Sequence, residues 1–130
     1  MISAIRYLAI VVALVMIVGG CSTGPPHDRL NVDNDTTLEL VIVVNGTEIG
    51  SVGPHRLAFF ARSDLPSLPW TIEARTRSGR QLLQLPIERE LDPSMSTSTG
   101  IDLSCGRLDL YFGDKPEAFP GPGTPGDCDA

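Results

Sequence analysis

The stretch WTIEARTRSGRQLLQLPIE, residues 70–88, decides the fold because it reads as a complete β-hairpin. Two runs with a period of two flank Ser78-Gly79, a dipeptide suited to a two-residue turn. With Arg77 opposite Arg80, the apolar pairs are Trp70–Ile87, Ile72–Leu85 and Ala74–Leu83, and the other pairs are Glu73–Gln84 and Arg75–Leu82. Because paired residues share a face of a sheet, this register predicts an antiparallel hairpin with one buried face.

A second hairpin precedes this one. Residues 38–44 (LELVIVV) are rich in branched side chains, and Asn45-Gly46 follows directly. Asn-Gly between apolar runs favours a tight hairpin turn, since both central residues of that turn need a positive φ. The return strand is predicted over 47–52. A further strand is predicted over 57–62 (LAFFAR), before a proline-punctuated loop.

The last part of the chain adds two more predicted strands. Residues 101–105 (IDLSC) and 108–112 (LDLYF) alternate, with Gly106-Arg107 as a turn or a bulge, and residues 94–99 form an exposed Ser/Thr-rich segment. No convincing helical period follows the first twenty residues. We therefore predict an all-β domain over residues 36–112, a small antiparallel sandwich or barrel of about six to seven strands. Its candidate core aromatics are Trp70, Phe59, Phe60 and Phe112, with a stacking surface for a ligand as the alternative interpretation.

The amino-terminal residues follow a different pattern. Residues 1–6 carry one basic side chain, and residues 7–18 are twelve consecutive apolar residues without charge or proline. A helix of twelve residues is about 18 Å long, well short of the roughly 30 Å hydrocarbon core of a bilayer. The pattern predicts a helical signal peptide over residues 1–20, with an uncleaved anchor as the less favoured alternative.

The end of this segment, Val18-Gly19-Gly20-Cys21, resembles the lipobox of bacterial lipoproteins. The resemblance implies a diacylglycerol on the sulfur of Cys21, cleavage just before it, and anchoring at the extracytoplasmic face of the cell membrane. Two acyl chains are what stable attachment requires, since one chain binds only marginally. The polar residues that follow predict a flexible tether over 21–35, with a span of about 20 Å.

Once Cys21 is assigned to the lipid, Cys105 and Cys128 remain as an even pair in an exported chain. Disulfides persist outside the reducing cytosol, so we expect these two residues to pair, with a metal or catalytic thiol as the alternative. A bridge closing a loop of about 23 residues stabilises a fold by roughly 3.4 kcal/mol. It would also attach the Pro/Gly-rich tail, residues 113–130, to the last strands.

Residues that could carry chemistry are sparse. The two histidines, His27 and His55, lie in the predicted tether and in a turn, and no His or Met follows Cys105 to complete a copper site. Asn31, Asp33 and Asp35 begin like a calcium loop, but the glycine and glutamate that such a loop requires are missing. We expect no catalytic residue, no metal site and no cofactor. A small hydrolase that uses two carboxylates is the remaining enzymatic alternative.

The charge distribution bears on partners. Sixteen acidic and ten basic residues give a net charge of −6, which disfavours nucleic acid as a partner. Arg75, Arg77 and Arg80 cluster at one hairpin end and form a candidate contact surface for an anion. A solvated sheet face of mixed charge is the alternative.

Several short segments resemble those of small uncharacterised lipoproteins of high-GC bacteria: residues 43–46 (VVNG), 65–70 (LPSLPW), 76–80 (TRSGR) and 104–111 (SCGRLDLY), with Asp127-Cys128. This resemblance implies no activity and no site residue. We expect a non-enzymatic lipoprotein whose β domain binds or scaffolds an envelope protein or glycan. An inhibitor of secreted or host hydrolases is the alternative.

Overall fold

The computed structural model describes residues 28–90, 96–118, 121 and 123–129. Within them lie the strands β1 (Arg29–Asp35), β2 (Leu40–Val44), β3 (Thr47–Val52), β4 (Arg56–Ala61), β5 (Trp70–Thr76), β6 (Gln81–Ile87), β7 (Thr97–Leu103) and β8 (Gly106–Phe112), with a 3-10 turn at Arg62–Asp64. Sheet A has the order β4-β1-β8-β7 and sheet B the order β3-β2-β5-β6, and all pairings are antiparallel. The predicted all-β sandwich is confirmed, with eight strands in the described residues.

The β5–β6 hairpin keeps the predicted apolar pairs but not the predicted turn. Trp70 lies opposite Ile87, and Ala74 opposite Leu83. The turn has three residues, because the Thr76 N–H donates to the Arg80 carbonyl at 2.9 Å and Gly79 takes a φ of 97°. A register shift after Ala74 then places Arg75 opposite Gln81 instead of Leu82. This bulge compensates for the longer turn, so the apolar pairs return to one face.

The β2–β3 hairpin has the predicted Asn-Gly turn. Asn45 and Gly46 have φ values of 51° and 82°, both in the left-handed region that this turn requires. The Asn45 side chain also accepts a hydrogen bond from the Thr71 N–H at 2.8 Å and donates to the Pro69 carbonyl at 3.1 Å. The turn residue therefore ties the hairpin to the start of β5.

The core lies between the two sheets and contains the inward residues of both. Trp70 and Phe112 are 3% and 0% exposed, and their rings stack at a centroid distance of 5.8 Å. Phe60 is partly buried against this core, as predicted. The prediction that Phe59 lies in the core is wrong, because Phe59 pairs with Asn31 on the outer face of sheet A and is 49% exposed.

The prediction of a tether over residues 21–35 is wrong for its second half. Residues 29–35 form β1, which lies inside sheet A between β4 and β8, with Leu30 and Val32 fully buried. Polar Asn31 and Asn34 are also buried, and their amides donate to distant carbonyls, those of Tyr111 at 3.1 Å and Gly53 at 2.9 Å. Such partners make buried amides acceptable, and no local pattern reveals them.

Two other predicted boundaries also move. The exposed segment predicted over 94–99 is strand β7 from Thr97 onward, and the β7–β8 turn is Ser104-Cys105, with Leu103 opposite Gly106. The predicted signal peptide (residues 1–20), Cys21 and His27 lie outside the described residues. Among the residues that are described, no helix has the length and apolar character needed to cross a membrane.

Candidate functional site

The outer face of sheet A carries an unusual density of charge for a sheet face. Strand alternation turns Leu108 and Leu110 of β8 into the core and turns Arg107, Asp109 and Tyr111 outward. The first part of the tail then crosses this face, where Lys115 forms an ion pair with Asp33 of β1. The charged centre of the sheet is therefore covered by the chain itself.

Arg107 holds this arrangement together. Its Nε donates to both carboxylate oxygens of Asp109 at 3.0 and 3.2 Å, and its Nη1 donates to Asp102 Oδ2 at 3.0 Å. Its Nη2 donates to the Glu117 carbonyl of the tail at 3.2 Å. Asp109 is 1% exposed, and a buried carboxylate persists only when it is paired and hydrogen-bonded in this way. The guanidinium thus joins β7, β8 and the tail.

The titration properties of this face follow from burial and pairing. Burial raises the pKa of the Asp109 carboxyl above its ordinary value, and Arg107 opposes that rise. Burial lowers the pKa of the Arg107 guanidinium, but its hydrogen bonds to Asp102 and Asp109 outweigh that effect and raise it. The hydrogen bond to Asp33 likewise raises the pKa of Lys115. Both cations therefore stay charged at neutral pH.

A groove of about 650 Å³ lies between the tail and the β7 side of sheet A. Residues 98–100 of β7, Arg107, and residues 116–118 of the tail line it. A Cβ on Gly100 would lie 2.2 Å from Asp109 Oδ1 and 2.4 Å from Arg107 Nη2, so a larger residue at this position would displace the carboxylate and the guanidinium. The exposed side chains of Ser98 and Glu117 give the groove a hydroxyl and a carboxylate.

The second part of the tail is attached at the β7–β8 turn. Cys105 and Cys128 form the predicted disulfide, with their Cα atoms 6.1 Å apart. The Asp127 carboxylate accepts hydrogen bonds from the Ser104 hydroxyl at 2.6 Å and from the Ser104 N–H at 2.8 Å. These bonds lower the pKa of Asp127 below its ordinary value of 3.8. The tail is thus held at two places, over sheet A and at this turn.

The predicted contact surface at Arg75, Arg77 and Arg80 consists of side chains that are already engaged. Arg75 contacts Glu73 at 2.5 Å, Arg77 contacts Glu39 at 2.8 Å, and Arg80 donates to the Asp127 carbonyl of the tail. An external anion would have to compete with these partners. A shared anion-binding surface at this hairpin end stays a prediction.

The residues of the calcium-loop alternative lie in a strand, not in a loop. Asp33 and Asp35 are both in β1, where Asp33 pairs with Lys115 and Asp35 accepts from His55 Nδ1 at 2.9 Å. His55 sits in the predicted turn with a φ of 51°. In the part of the chain that the structure describes, no three His, Cys, Asp or Glu side chains are placed to hold a metal ion.

Sequence reasoning missed a second feature of sheet A, an exposed apolar patch on edge strand β4. Leu57 and Phe59 are 50% and 49% exposed, and the Arg29 guanidinium carbon lies 3.9 Å from the centroid of the Phe59 ring. The sequence did indicate that one of the two phenylalanines is exposed, because Phe59 and Phe60 are neighbours in a strand and their side chains must point to opposite faces. Recognising the outward one required the pairing of β4 with β1.

Comparisons with protein-family models, with curated proteins and with solved structures find no match to this chain. Three features of the chain itself bear on function: the groove beneath the tail, the ionic cluster around Arg107, and the patch on β4.

Proposed function

We propose that the chain is a lipoprotein anchored through Cys21 at the extracytoplasmic face of the cell membrane, and that its sandwich is a non-enzymatic binding or scaffolding domain. The observation that carries this proposal is Val18-Gly19-Gly20-Cys21 at the end of a short apolar run. The Cys105–Cys128 disulfide supports it, because such bridges persist in oxidising surroundings.

The groove beneath the tail is the binding site we infer. Its ionic wall is occupied, since the Arg107 donors are bound to Asp102, Asp109 and the Glu117 carbonyl. We therefore infer that the groove recognises its ligand through Ser98, Glu117 and its own shape. A hydroxyl-rich glycan or the backbone of an extended envelope protein segment offers the complementary hydrogen-bonding groups.

The same geometry argues against hydrolysis by paired carboxylates. Among the described residues that line the groove, Glu117 is the one with a carboxylate. The two carboxyls that contact Arg107 of the groove wall, Asp102 and Asp109, are held by one guanidinium, and Asp109 is 1% exposed. A general acid or base has to reach the proton that it transfers. A carboxylate enclosed in this way supports the wall of a binding site and has no path to a substrate.

The anchor is tested by mass spectrometry of the full-length protein expressed in a bacterium. We expect a mature chain that begins at Cys21 with a diacylglycerol on its sulfur and that sediments with membranes. A Cys21→Ser variant should lose the lipid and leave the membrane fraction. A wild-type chain that begins at Met1 and stays in the soluble fraction would overturn the proposal.

The groove is tested with a matched pair of substitutions. Ser98→Trp places an indole in the groove, whereas Gln84→Trp places one on the exposed outer face of sheet B. Each lipidated protein is cross-linked in a cell-envelope extract and is co-sedimented with cell-wall glycan. We expect one partner that is retained by wild type and Gln84→Trp and lost by Ser98→Trp. Equal retention by all three proteins would rule out the groove.

A further inference from the structure

We propose that the β4 patch (Arg29, Leu57 and Phe59) docks onto the anionic phospholipid surface of the membrane that holds Cys21. This inference rests on the proposed lipid anchor. It adds an orientation, in which the β4 edge of sheet A faces the bilayer and the groove, three strands away at the β7 edge, stays open to a partner.

The tail leaves one half of the outer face of sheet A uncovered. Lys115 and Glu117 bring the tail across β1, β8 and β7, through the contacts with Asp33 and Arg107. Leu57 and Phe59 lie beyond that cover, on the edge strand, and each exposes about half of its side chain. They are the large apolar side chains of the described residues that remain exposed, and adjacent exposed apolar groups mark an interaction surface.

Arg29 places a positive charge beside the exposed Phe59 ring. Its guanidinium carbon lies 3.9 Å from the centroid of the Phe59 ring, and its Nε is buried without a hydrogen-bond partner in the described part of the chain. The neighbouring cations are paired, Arg62 with Glu90 and Lys115 with Asp33. Among the described residues Arg29 forms no ion pair, so we infer that its guanidinium group supplies a cation for a phosphate oxygen beside two apolar side chains, the combination that interfacial binding uses.

The chain between the proposed anchor, Cys21, and the β4 patch is short. Seven residue steps separate Cys21 from Asp28, which at most span about 25 Å. The Arg62 N–H donates to the Asp28 carbonyl at 2.9 Å, so the chain enters the domain beside the end of β4. Phe59 is three residues before Arg62, at most about 11 Å along the chain. The anchor thus holds the patch within reach of the headgroups.

Net charge explains why a particular face is needed. The full chain carries a charge of −6, which becomes −7 when Arg6 leaves with the signal peptide, so an anionic membrane repels it on average. Docking therefore requires a place where the acidic groups are paired with cations. Asp33 is paired with Lys115, and Arg29, which forms no ion pair among the described residues, lies over the Phe59 ring. Because the anchor keeps the local membrane concentration high, weak contacts suffice to set the orientation.

The test uses the full lipidated protein in vesicles of phosphatidylethanolamine and phosphatidylglycerol with brominated acyl chains. The native tryptophan, Trp70, is 3% exposed and gives the background. A Phe59→Trp variant reports on the patch, and Gln84→Trp on sheet B is the matched control. We expect at least twofold stronger quenching of Phe59→Trp than of the control, and a blue-shifted emission. If circular dichroism shows that Phe59→Trp is misfolded, Leu57→Trp takes its place.

The charge is tested in the same assay. We expect Phe59→Trp to be quenched more strongly in vesicles that contain phosphatidylglycerol than in vesicles of phosphatidylcholine. Adding Arg29→Gln to Phe59→Trp should weaken the quenching in the phosphatidylglycerol vesicles, so that the two kinds of vesicle give equal quenching. Quenching that is unchanged by Arg29→Gln would overturn the role of the cation. A blue shift that grows with protein concentration and shows no quenching would mean that a second copy covers the patch, which also overturns the inference.

Two different measurements distinguish an error in the proposed lipid anchor from an error in the proposed docking. Mass spectrometry establishes the acylation of Cys21 before the vesicle assay. A chain without the lipid would overturn the proposed function itself. An acylated, membrane-bound chain whose Phe59→Trp is quenched no more than Gln84→Trp would overturn the docking alone.

Discussion

At the scale of single residues, Gly106 shows how closely the backbone of sheet A is packed. It follows the Ser104-Cys105 turn with a φ of 132°, a region that residues with a Cβ rarely adopt. A Cβ at this position would lie 1.8 Å from the Asp35 carbonyl oxygen at the end of β1. The absence of a side chain therefore lets the start of β8 lie against the end of β1.

We expect Gly106→Ala to destabilise the protein by about 2–4 kcal/mol, from backbone strain together with the clash against Asp35. Gly53→Ala is the matched control, because its Cβ would meet only the Arg56 Cγ at 3.7 Å, an ordinary contact. The control should change the stability by less than about 1 kcal/mol. Urea unfolding measures both values, and equal losses would contradict the argument.

At the scale of secondary-structure elements, β7 and β8 are joined by charge as well as by their hydrogen-bond ladder. Arg107 of β8 contacts Asp102 across the strand pair and Asp109 two residues away on its own strand. Because Asp109 is buried, removal of Arg107 would leave the negative charge of Asp109 without a compensating positive charge.

We expect Arg107→Met to cost about 3–5 kcal/mol at pH 7, because Asp109 is left buried and unpaired. Burial already raises the pKa of Asp109 above 3.8, and loss of Arg107 removes the largest of the influences that lower it. A carboxyl with a raised folded-state pKa favours the folded protein at low pH, and this benefit is lost as the pH rises through that pKa. The variant should therefore be closer to wild type near pH 4 than at pH 7.

The control for this prediction is Arg77→Met. Arg77 pairs with Glu39 at 2.8 Å, but the two side chains are 72% and 39% exposed. Exposed pairs contribute little, so a change below about 1 kcal/mol is expected. Urea unfolding at both pH values measures the two variants against wild type. A deficit of Arg107→Met that is the same at both pH values would show that the charge of Asp109 is not its cause.

At the scale of the whole molecule, the tail acts as a strap across one sheet. It is held at Lys115 and Glu117 over sheet A and at Asp127 and Cys128 on the β7–β8 turn. It has no strand of its own in its described residues, so its position depends on these attachments.

We expect the double substitution Cys105→Ser and Cys128→Ser to lower the stability by about 3 kcal/mol, since the loop that the bridge closes is freed in the unfolded chain. The Ser104 amide, which donates to Asp127, should exchange its hydrogen faster, whereas the core around Trp70 keeps its protection. Reductant should lower the stability of wild type and leave the double variant unchanged. Unchanged exchange at Ser104 would show that the tail is held without the bridge.

Much of the sandwich could be predicted from its sequence, because hairpins are local. The apolar pairs from Trp70–Ile87 to Ala74–Leu83 follow from alternation, and the Asn45-Gly46 turn follows from its need for positive φ. The three-residue turn before β6 was missed because a compensating bulge leaves the same face apolar. Pairing of Cys105 with Cys128 required only the export argument and a count of cysteines.

Local sequence by itself determined where the hairpins lie and which of their faces is buried, since neighbours in the chain supply the pairing partners. Only the tertiary structure decided that residues 29–35 are a central strand, that the tail and Arg107 form a groove, and that Phe59 faces outward while Phe60 faces the core. Buried Asn31 and Asn34 donate to carbonyls far away in the chain, those of Tyr111 and Gly53, whereas the charged Asp109 is paired with Arg107 two residues away. A polar residue reveals its burial only when the group that satisfies it is in place.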